Sequence, residues 1–197
     1  MLTRFEQKEV FVISSNENFH RYVRENLPDG DFTVSGGAVS CTEARQKMMS
    51  NRCAVVLISI PLADECGTEL AGDLAENTPS SVIAVVKNEQ EPEMRQALEP
   101  AGVFVLGRPF PHTSFHQALY DAASAYARTQ IMSLENQRLQ VKLIDLRIVN
   151  RAKYALIQYL GMTEEQAHKY IEQQAMNQRI SKRSAAENIL KTYENSY

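Results

Sequence analysis

The sequence predicts an α/β domain built on a five-stranded doubly wound parallel sheet, then a long helical coiled-coil linker, then a C-terminal three-helix bundle. Three observations carry this expectation. Two short runs, Val55-Val-Leu-Ile58 and Val82-Ile-Ala-Val-Val86, are apolar at every position, which suits parallel strands covered on both faces. Such runs alternate with segments of helical periodicity, the order a doubly wound sheet requires. From His112 to about Leu160 no Gly or Pro interrupts the chain, and from Ile148 onward apolar residues recur at three- and four-residue spacing.

In chain order, the strands are expected at Glu9–Ser14, Phe32–Ser35, Cys53–Ser59, Ser81–Val86 and Gly102–Leu106, with helices near 17–27, 41–50, 66–77 and 90–100. Pro28-Asp-Gly30, Asn77-Thr-Pro79 and Glu99-Pro-Ala-Gly102 mark loops between them. Pro111 then opens a helix whose next glycine is Gly161. At 1.5 Å per residue that helix runs roughly 70 Å, too long to be buried on one small sheet. Met132, Leu139, Leu143, Leu146 and Val149 follow one another at spacings of seven, four, three and three, interleaved with Glu135, Arg138, Lys142 and Asp145. This pattern suits a parallel coiled coil between two copies, hence a homodimer, although Lys142 stands close to a core position.

Beyond it, Ile148, Ala152, Ala155, Leu156 and Tyr159 form the apolar side of a first bundle helix. Gly161 supplies a left-handed stop, and Thr163 with Gln166 reads as a capping box opening a second helix over 163–176. That helix turns Ala167, Tyr170, Ile171 and Ala175 to one face. The polar run Asn177-Gln178-Arg179 then forms a turn, after which Ser181 caps a third helix burying Ala185, Ala186, Ile189 and Tyr193. None of these helices is stable alone in water, so they must pack on one another. The domains are placed at 1–120, 121–147 and 148–197.

Composition narrows the function classes. The 197 residues are 44% hydrophobic, enough for at least one good core. No apolar run approaches the roughly 20 residues a membrane span needs, and Met1-Leu-Thr-Arg-Phe-Glu6 lacks the basic-then-apolar layout of a leader, so a cytoplasmic protein away from membranes is expected. Cys41, Cys53 and Cys66 have no metal or redox spacing and are expected as buried reduced thiols. Charge is unevenly spread: residues 138–191 hold ten Lys or Arg against five Asp or Glu, a net of +5, which leaves −8 for the rest of a chain totalling −3. A basic module joined to an acidic one is the layout expected when only one part meets a polyanion.

The bundle stretch resembles the ANTAR family, bacterial domains that bind RNA and prevent transcription termination. The resemblance is carried by Arg151-Ala152-Lys153-Tyr154, Thr163-Glu164-Glu165-Gln166-Ala167, and Ala175-Met176-Asn177-Gln178-Arg179-Ile180-Ser181. Tyr154 stands where the family usually has Gly, and Lys182 where an apolar residue is commoner. The resemblance implies paired stem-loops in a leader transcript as the target. From the residues, the candidate RNA contacts are Arg147, Arg151, Lys153, Asn177, Gln178, Arg179, Lys182 and Arg183, and the resemblance, through its Arg-Ala-Lys core, implies Ala152 as well. The cations would converge on stem phosphates, and the turn 177–179 would read unstacked loop bases. Tyr154, Tyr159 and Tyr170 fit helical core packing better than base stacking.

The first half, from Leu106-Gly-Arg-Pro-Phe110, resembles a flavodoxin-like response-regulator receiver, whose fifth strand ends in Lys-Pro-Phe. Receivers hold Mg²⁺ with an acidic pair after strand one and phosphorylate an Asp after strand three, with a hydroxyl and a Lys to stabilise the product charge. Here Ser14 and Ser15 stand at the acidic pair, Ser59 at the acceptor, Val86 at the hydroxyl and Arg108 at the Lys. Phosphoryl transfer has no physical basis with those groups, so a pseudo-receiver is expected, its state set by a regulatory protein or small-ligand partner. Glu17 and Asp64 are near in sequence but wrongly spaced to restore a metal. His112 and His116 sit four apart with no third ligand nearby, which favours helix surface over a metal site. No nucleophile triad, phosphate loop or carboxylate pair emerges, so neither an enzyme nor a cofactor is expected. Two rival readings are a helix-turn-helix DNA-binding response regulator, with Ser181 opening a recognition helix, and a protein-interaction adaptor without nucleic-acid binding.

Overall fold

The computed structural model describes residues 7–194; the stretch Met1–Glu6, read above for its lack of a leader pattern, lies outside the described residues. Five parallel strands, β1 (Lys8–Ile13), β2 (Phe32–Ala38), β3 (Val55–Ser59), β4 (Ser81–Lys87) and β5 (Phe104–Arg108), form one sheet in the order β2-β1-β3-β4-β5. Four helices alternate with them: α1 (Glu17–Asn26), α2 (Cys41–Met48), α3 (Thr68–Asn77) and α4 (Glu91–Leu98). Three more follow, α5 (His112–Leu160), α6 (Glu164–Gln178) and α7 (Lys182–Glu194). The chain divides into two compact units, Met1–Ile131 and Met132–Tyr197.

In the first unit the two-residue period of the strands sorts their side chains onto opposite faces. Phe11, Ile13, Val56, Ile58, Ala84 and Val86 pack under α2, α3 and α4, whereas Val10, Val12, Leu57, Ile83 and Val85 pack under α1 and the start of α5 through Phe19, Val23, Phe115 and Leu119. Strand β2 runs three residues past the expected Ser35, through Gly36-Gly37. The two glycines are there because the backbone comes close: a Cβ on Gly36 would stand 3.0 Å from the Phe11 ring, and one on Gly37 2.8 Å from the Val12 carbonyl oxygen. The register shifts between Val10 and Phe11, so Ser35 has no pairing partner across the ladder.

Helix α2 has its N-terminus satisfied from two directions. The Ser40 hydroxyl accepts from the Glu43 N–H at 3.2 Å, and the Asp64 carboxylate accepts from the N–H groups of Cys41 at 2.9 Å and Thr42 at 3.1 Å. These bonds lower the Asp64 carboxyl to about 2. Of the cysteines, Cys41 and Cys53 are buried as expected, and burial together with the neighbouring Asp64 charge pushes the Cys41 thiol up to about 11. Cys66 is exposed instead, where it precedes the left-handed Gly67 at the start of α3, and its thiol lies 3.2 Å from the Thr68 hydroxyl.

The second unit is a three-helix bundle whose core holds Ala152, Ala155 and Leu156 of α5, Ala167, Ile171 and Ala175 of α6, and Ala185, Ala186, Ile189 and Leu190 of α7. The small residues let the helices approach closely. Gly161 adopts φ 61°, and Thr163 with Gln166 forms the complete capping box. Ser181 caps α7 by accepting from the Ser184 N–H at 3.0 Å. Helix α6, expected to end at 176, continues through Asn177 and Gln178, because Arg179 takes the left-handed conformation (φ 52°, ψ 41°) and its N–H closes on the carbonyls of Ala175 and Met176. Among the described residues no helix is long and apolar enough to cross a membrane.

Candidate functional site

The carboxyl ends of the parallel strands are where ligands of such sheets bind, and here the chain's own groups occupy them. Arg108, the last residue of β5, donates from Nη1 to the Ser59 hydroxyl at 3.1 Å and from Nη2 to the Ile60 carbonyl at 3.3 Å. Ser14 is buried; its hydroxyl accepts from the Asn16 N–H at 3.1 Å and its carbonyl accepts from His20 Nε2–H at 2.9 Å. Val86 is fully buried in the core under α2, α3 and α4, and Ser15 faces solvent. The structure thus gathers Ser14, Ser59 and Arg108 near the strand ends, and the Glu91 carboxylate, beside Gly107, is paired with Arg95 instead. Asp64 is committed to the α2 N-terminus, and Glu17 lies exposed in the first turn of α1. Among the described residues every buried side-chain polar atom has a partner. A Mg²⁺ ion does not fit these residues: the donors are two hydroxyls and a carbonyl, and the nearest charge is a guanidinium.

The histidine pair is likewise built into the fold. His116 Nε2–H donates to the Asn26 carbonyl at 2.9 Å, and the His112 ring packs 5.8 Å from that of Tyr22. Among the described residues no group of three or more His, Cys, Asp or Glu is placed to hold a metal.

In the bundle, the expected convergence of cations is corrected. Arg183 Nη1 reaches Asp145 Oδ1 at 3.1 Å, which lays the first turn of α7 beside α5 at that point. Arg147, two residues past Asp145, is turned about 200° away around the helix. Lys153 lies about 12 Å along the axis from Asp145 and gives its ammonium to Glu164 at 2.9 Å with only 16% of its side chain exposed. The basic set is therefore three groups: Arg147 with Arg151 on the outer side of α5, Lys153 at the α5–α6 corner, and Arg179, Lys182 and Arg183 at the α6–α7 corner. The corner cations Lys182 and Arg183 are tied back. Lys182 pairs with Glu172 and holds that carboxyl below the usual range, and Arg183 is shared between Glu187 and Asp145. Ala152, counted among the RNA contacts, is fully buried and serves the core. Asn177 and Gln178 are exposed on the last turn of α6 rather than in a loop.

One residue changes role. Tyr154 was expected to pack, yet its side chain stands 71% exposed. It lies two residues from both Ala152 and Leu156, hence about 200° around the helix from each, a signal present in the spacing. Tyr159 and Tyr170 do pack, Tyr159 stacking on Tyr193 at 5.8 Å and 14° and Tyr170 lying half-buried against the core. On the outer side of α5, Arg147, Asn150, Arg151, Tyr154 and Gln158 recur at three- and four-residue spacing, all exposed. The line joins two guanidinium groups, two amides and an aromatic ring.

The apolar residues upstream on α5 also separate. Met132, Leu139, Leu143 and Leu146 are each more than half exposed on one side. Val149 leaves this line and packs partly buried on the bundle core; two successive three-residue steps carry it about 120° around the helix from Leu143, off the exposed side. A second stripe, missed in the sequence, consists of exposed Leu134, Val141 and Ile144, which continue through Ile148 into the core-facing side.

Comparisons with known proteins agree with this anatomy. Residues 137–190 match the ANTAR domain. The transcriptional regulatory protein PdtaR of Mycobacterium tuberculosis is 24% identical over 168 residues, spanning 85% of this chain and 82% of its own. A response regulator receiver domain protein (CheY-like) from Methanospirillum hungatei JF-1 superimposes with TM-score 0.56 at 16% identity, over 62% of this chain and 98% of that one. An adenylate cyclase from Rhodopirellula baltica superimposes with TM-score 0.58 at 15% identity, over 68% of this chain and 98% of that one, which at such identity is a likeness of fold alone. The chain thus joins a receiver-fold domain to an ANTAR domain at residues 137–190.

Proposed function

We propose that this chain is a non-enzymatic transcription regulator of the cytoplasm, which binds paired stem-loops in leader RNA through its C-terminal helical domain and so prevents a competing terminator stem from forming. The observation that carries the reading is the outer line of α5. Arg147 and Arg151 supply charge for stem phosphates, while Tyr154 offers a solvent-exposed face on which an unstacked loop base can stack. Asn150 and Gln158 flank the ring with amides able to meet base edges.

Two copies would pair along the exposed stripe Met132, Leu139, Leu143 and Leu146, in the segment 121–147 read as the linker. Two modules could then hold two hairpins at once, and the second contact would gain from the effective concentration set by the first. Steering would come from a protein or small ligand on the receiver-like domain rather than from phosphorylation. A DNA-reading helix is less well supported, because Lys182 and Arg183, in the first turn of α7 where base contacts would fall, are tied to Glu172, Asp145 and Glu187.

The test is a gel shift of the full chain with a two-hairpin leader RNA and with a DNA duplex of equal charge. Retention of the RNA, lost when the loops are closed into continuous stem, supports the reading. Preference for the duplex would replace it with the DNA-binding one, and binding of neither would leave the adaptor.

A further inference from the structure

We propose that the groove between α6 and α7 is a nucleobase pocket, separate from the Tyr154 face, that takes one extruded RNA loop base; this rests on the RNA-binding reading and adds a second subsite to it. The groove has a volume of about 170 Å³ and an apolar floor made by Ala185 and Ile189. Tyr170 and Tyr193 wall it, and the Tyr193 ring lies near-parallel to that of Tyr159, centroids 5.8 Å apart and planes 14° off. Four neutral hydrogen-bonding side chains complete the lining: Gln174 and Gln178 from α6, and Asn188 and Thr192 from α7. Each pair is four residues apart, so each projects from one face of its helix.

Among the described residues no charged side chain lines the groove. That disfavours a phosphate or carboxylate as its natural occupant and favours a flat, uncharged group rich in donors and acceptors. A nucleobase is such a group, since amide side chains can pair with its edge in two bonds while an aromatic wall covers its face. Gln178 Nε2–H donates to Gln174 Oε1 at 3.1 Å, which fixes the two amides relative to each other along the α6 side of the groove. Exposed Arg179 follows Gln178 directly, at the corner where the nucleotide's backbone would leave the groove. The Tyr154 face carries arginines as well as amides, so the two subsites differ in kind: one grips and stacks, the other reads an edge.

The experiment uses the full chain and a hairpin selected from a library with randomised loop sequence. Each loop nucleotide of the selected RNA is replaced in turn by an abasic residue, and binding is compared for wild type, Gln174→Ala with Asn188→Ala, and Tyr154→Ala. Wild type should weaken about 5- to 150-fold at two different loop positions, one for each subsite. The Gln174→Ala, Asn188→Ala variant should weaken on intact RNA by the factor of one position and become indifferent to its abasic replacement, while Tyr154→Ala does so at the other. A groove variant that binds intact RNA as wild type does, and still feels every abasic site, overturns the pocket alone. A wild type that selects no hairpin overturns the RNA reading itself. In a parallel titration, AMP, GMP, CMP and UMP are added to ¹⁵N-labelled protein. Shifts of the Gln174 and Asn188 side-chain amides without any hairpin effect would assign the groove to free nucleotides and overturn its RNA role.

Discussion

The two units treat their polar groups in opposite ways. At the strand ends of the receiver-fold unit, Arg108 is spent on Ser59 and the Ile60 carbonyl, Ser14 is bonded by Asn16 and His20, and Val86 is sunk in the core. Along the outer side of α5 in the ANTAR unit, Arg147, Asn150, Tyr154 and Gln158 all face water. A position that carries chemistry elsewhere in this fold can thus be closed by neighbouring side chains while the fold itself persists. The Tyr154 ring, at 71% exposure, by contrast keeps a face open to solvent. What a residue can do is decided by which of its atoms still face outward once the fold has formed.

The comparison is broken most severely by removing the outward face. Replacing Arg147, Arg151 and Tyr154 together with Ala should reduce hairpin affinity by more than about 100-fold, because one base goes unstacked and two phosphates go unneutralised, with unchanged helical circular dichroism. Retained binding would put the site elsewhere. Next comes the core beneath it: Ile171→Ala, at a position 1% exposed, should destabilise the bundle by about 2–5 kcal/mol, read from urea unfolding. Leu139→Ala, on the exposed stripe, should leave the bundle's unfolding nearly unchanged but weaken self-association in sedimentation.

The closed strand ends are tested by two smaller effects. Gly37→Ala forces a methyl group against the Val12 carbonyl, so a destabilisation of about 1–3 kcal/mol is expected in the receiver-fold unit; an unchanged unfolding midpoint would mean β2 can move aside. Incubation with acetyl phosphate and Mg²⁺ should leave the intact mass unchanged, whereas an acid-labile phosphoryl adduct would reopen the closed end. The smallest effect is electrostatic. Asp64 is lowered to about 2 by the N–H groups it accepts from, so its contribution is fully present above the ordinary Asp value near 3.9 and disappears as pH falls through about 2. Asp64→Asn should therefore be less stable than wild type at neutral pH, with the difference vanishing at the acid end.

Most of the fold was legible because both periods were clean: two along the strands and three to four along the helices. Where the reading stopped short, a backbone event intervened. The expected β2 stopped at Ser35, but the strand runs on through Gly36-Gly37, where glycine is what the close approach of Phe11 and Val12 demands. Asn177 and Gln178 looked like a turn, but Arg179 assumed the left-handed cap that is usually left to Gly or Asn, and α6 gained its last residues. The candidate site was less legible. Counting cations marked where the basic residues concentrate but not how they group, since whether Arg147 and Arg183 share a face depends on how α7 lies on α5, which composition does not carry. Tyr154 was readable from its offset to Ala152 and Leu156 and was missed by grouping it with Tyr159 and Tyr170.

The claim at the centre is that the outward-facing groups of α5 meet the RNA backbone. It is tested most directly by the salt dependence of hairpin binding, measured for wild type and for Arg147→Ala with Arg151→Ala. The expected result is a fall of about two in the slope of log affinity against log salt, because each arginine removed leaves one phosphate with its counterions still in place. An unchanged slope, with affinity intact, would contradict it.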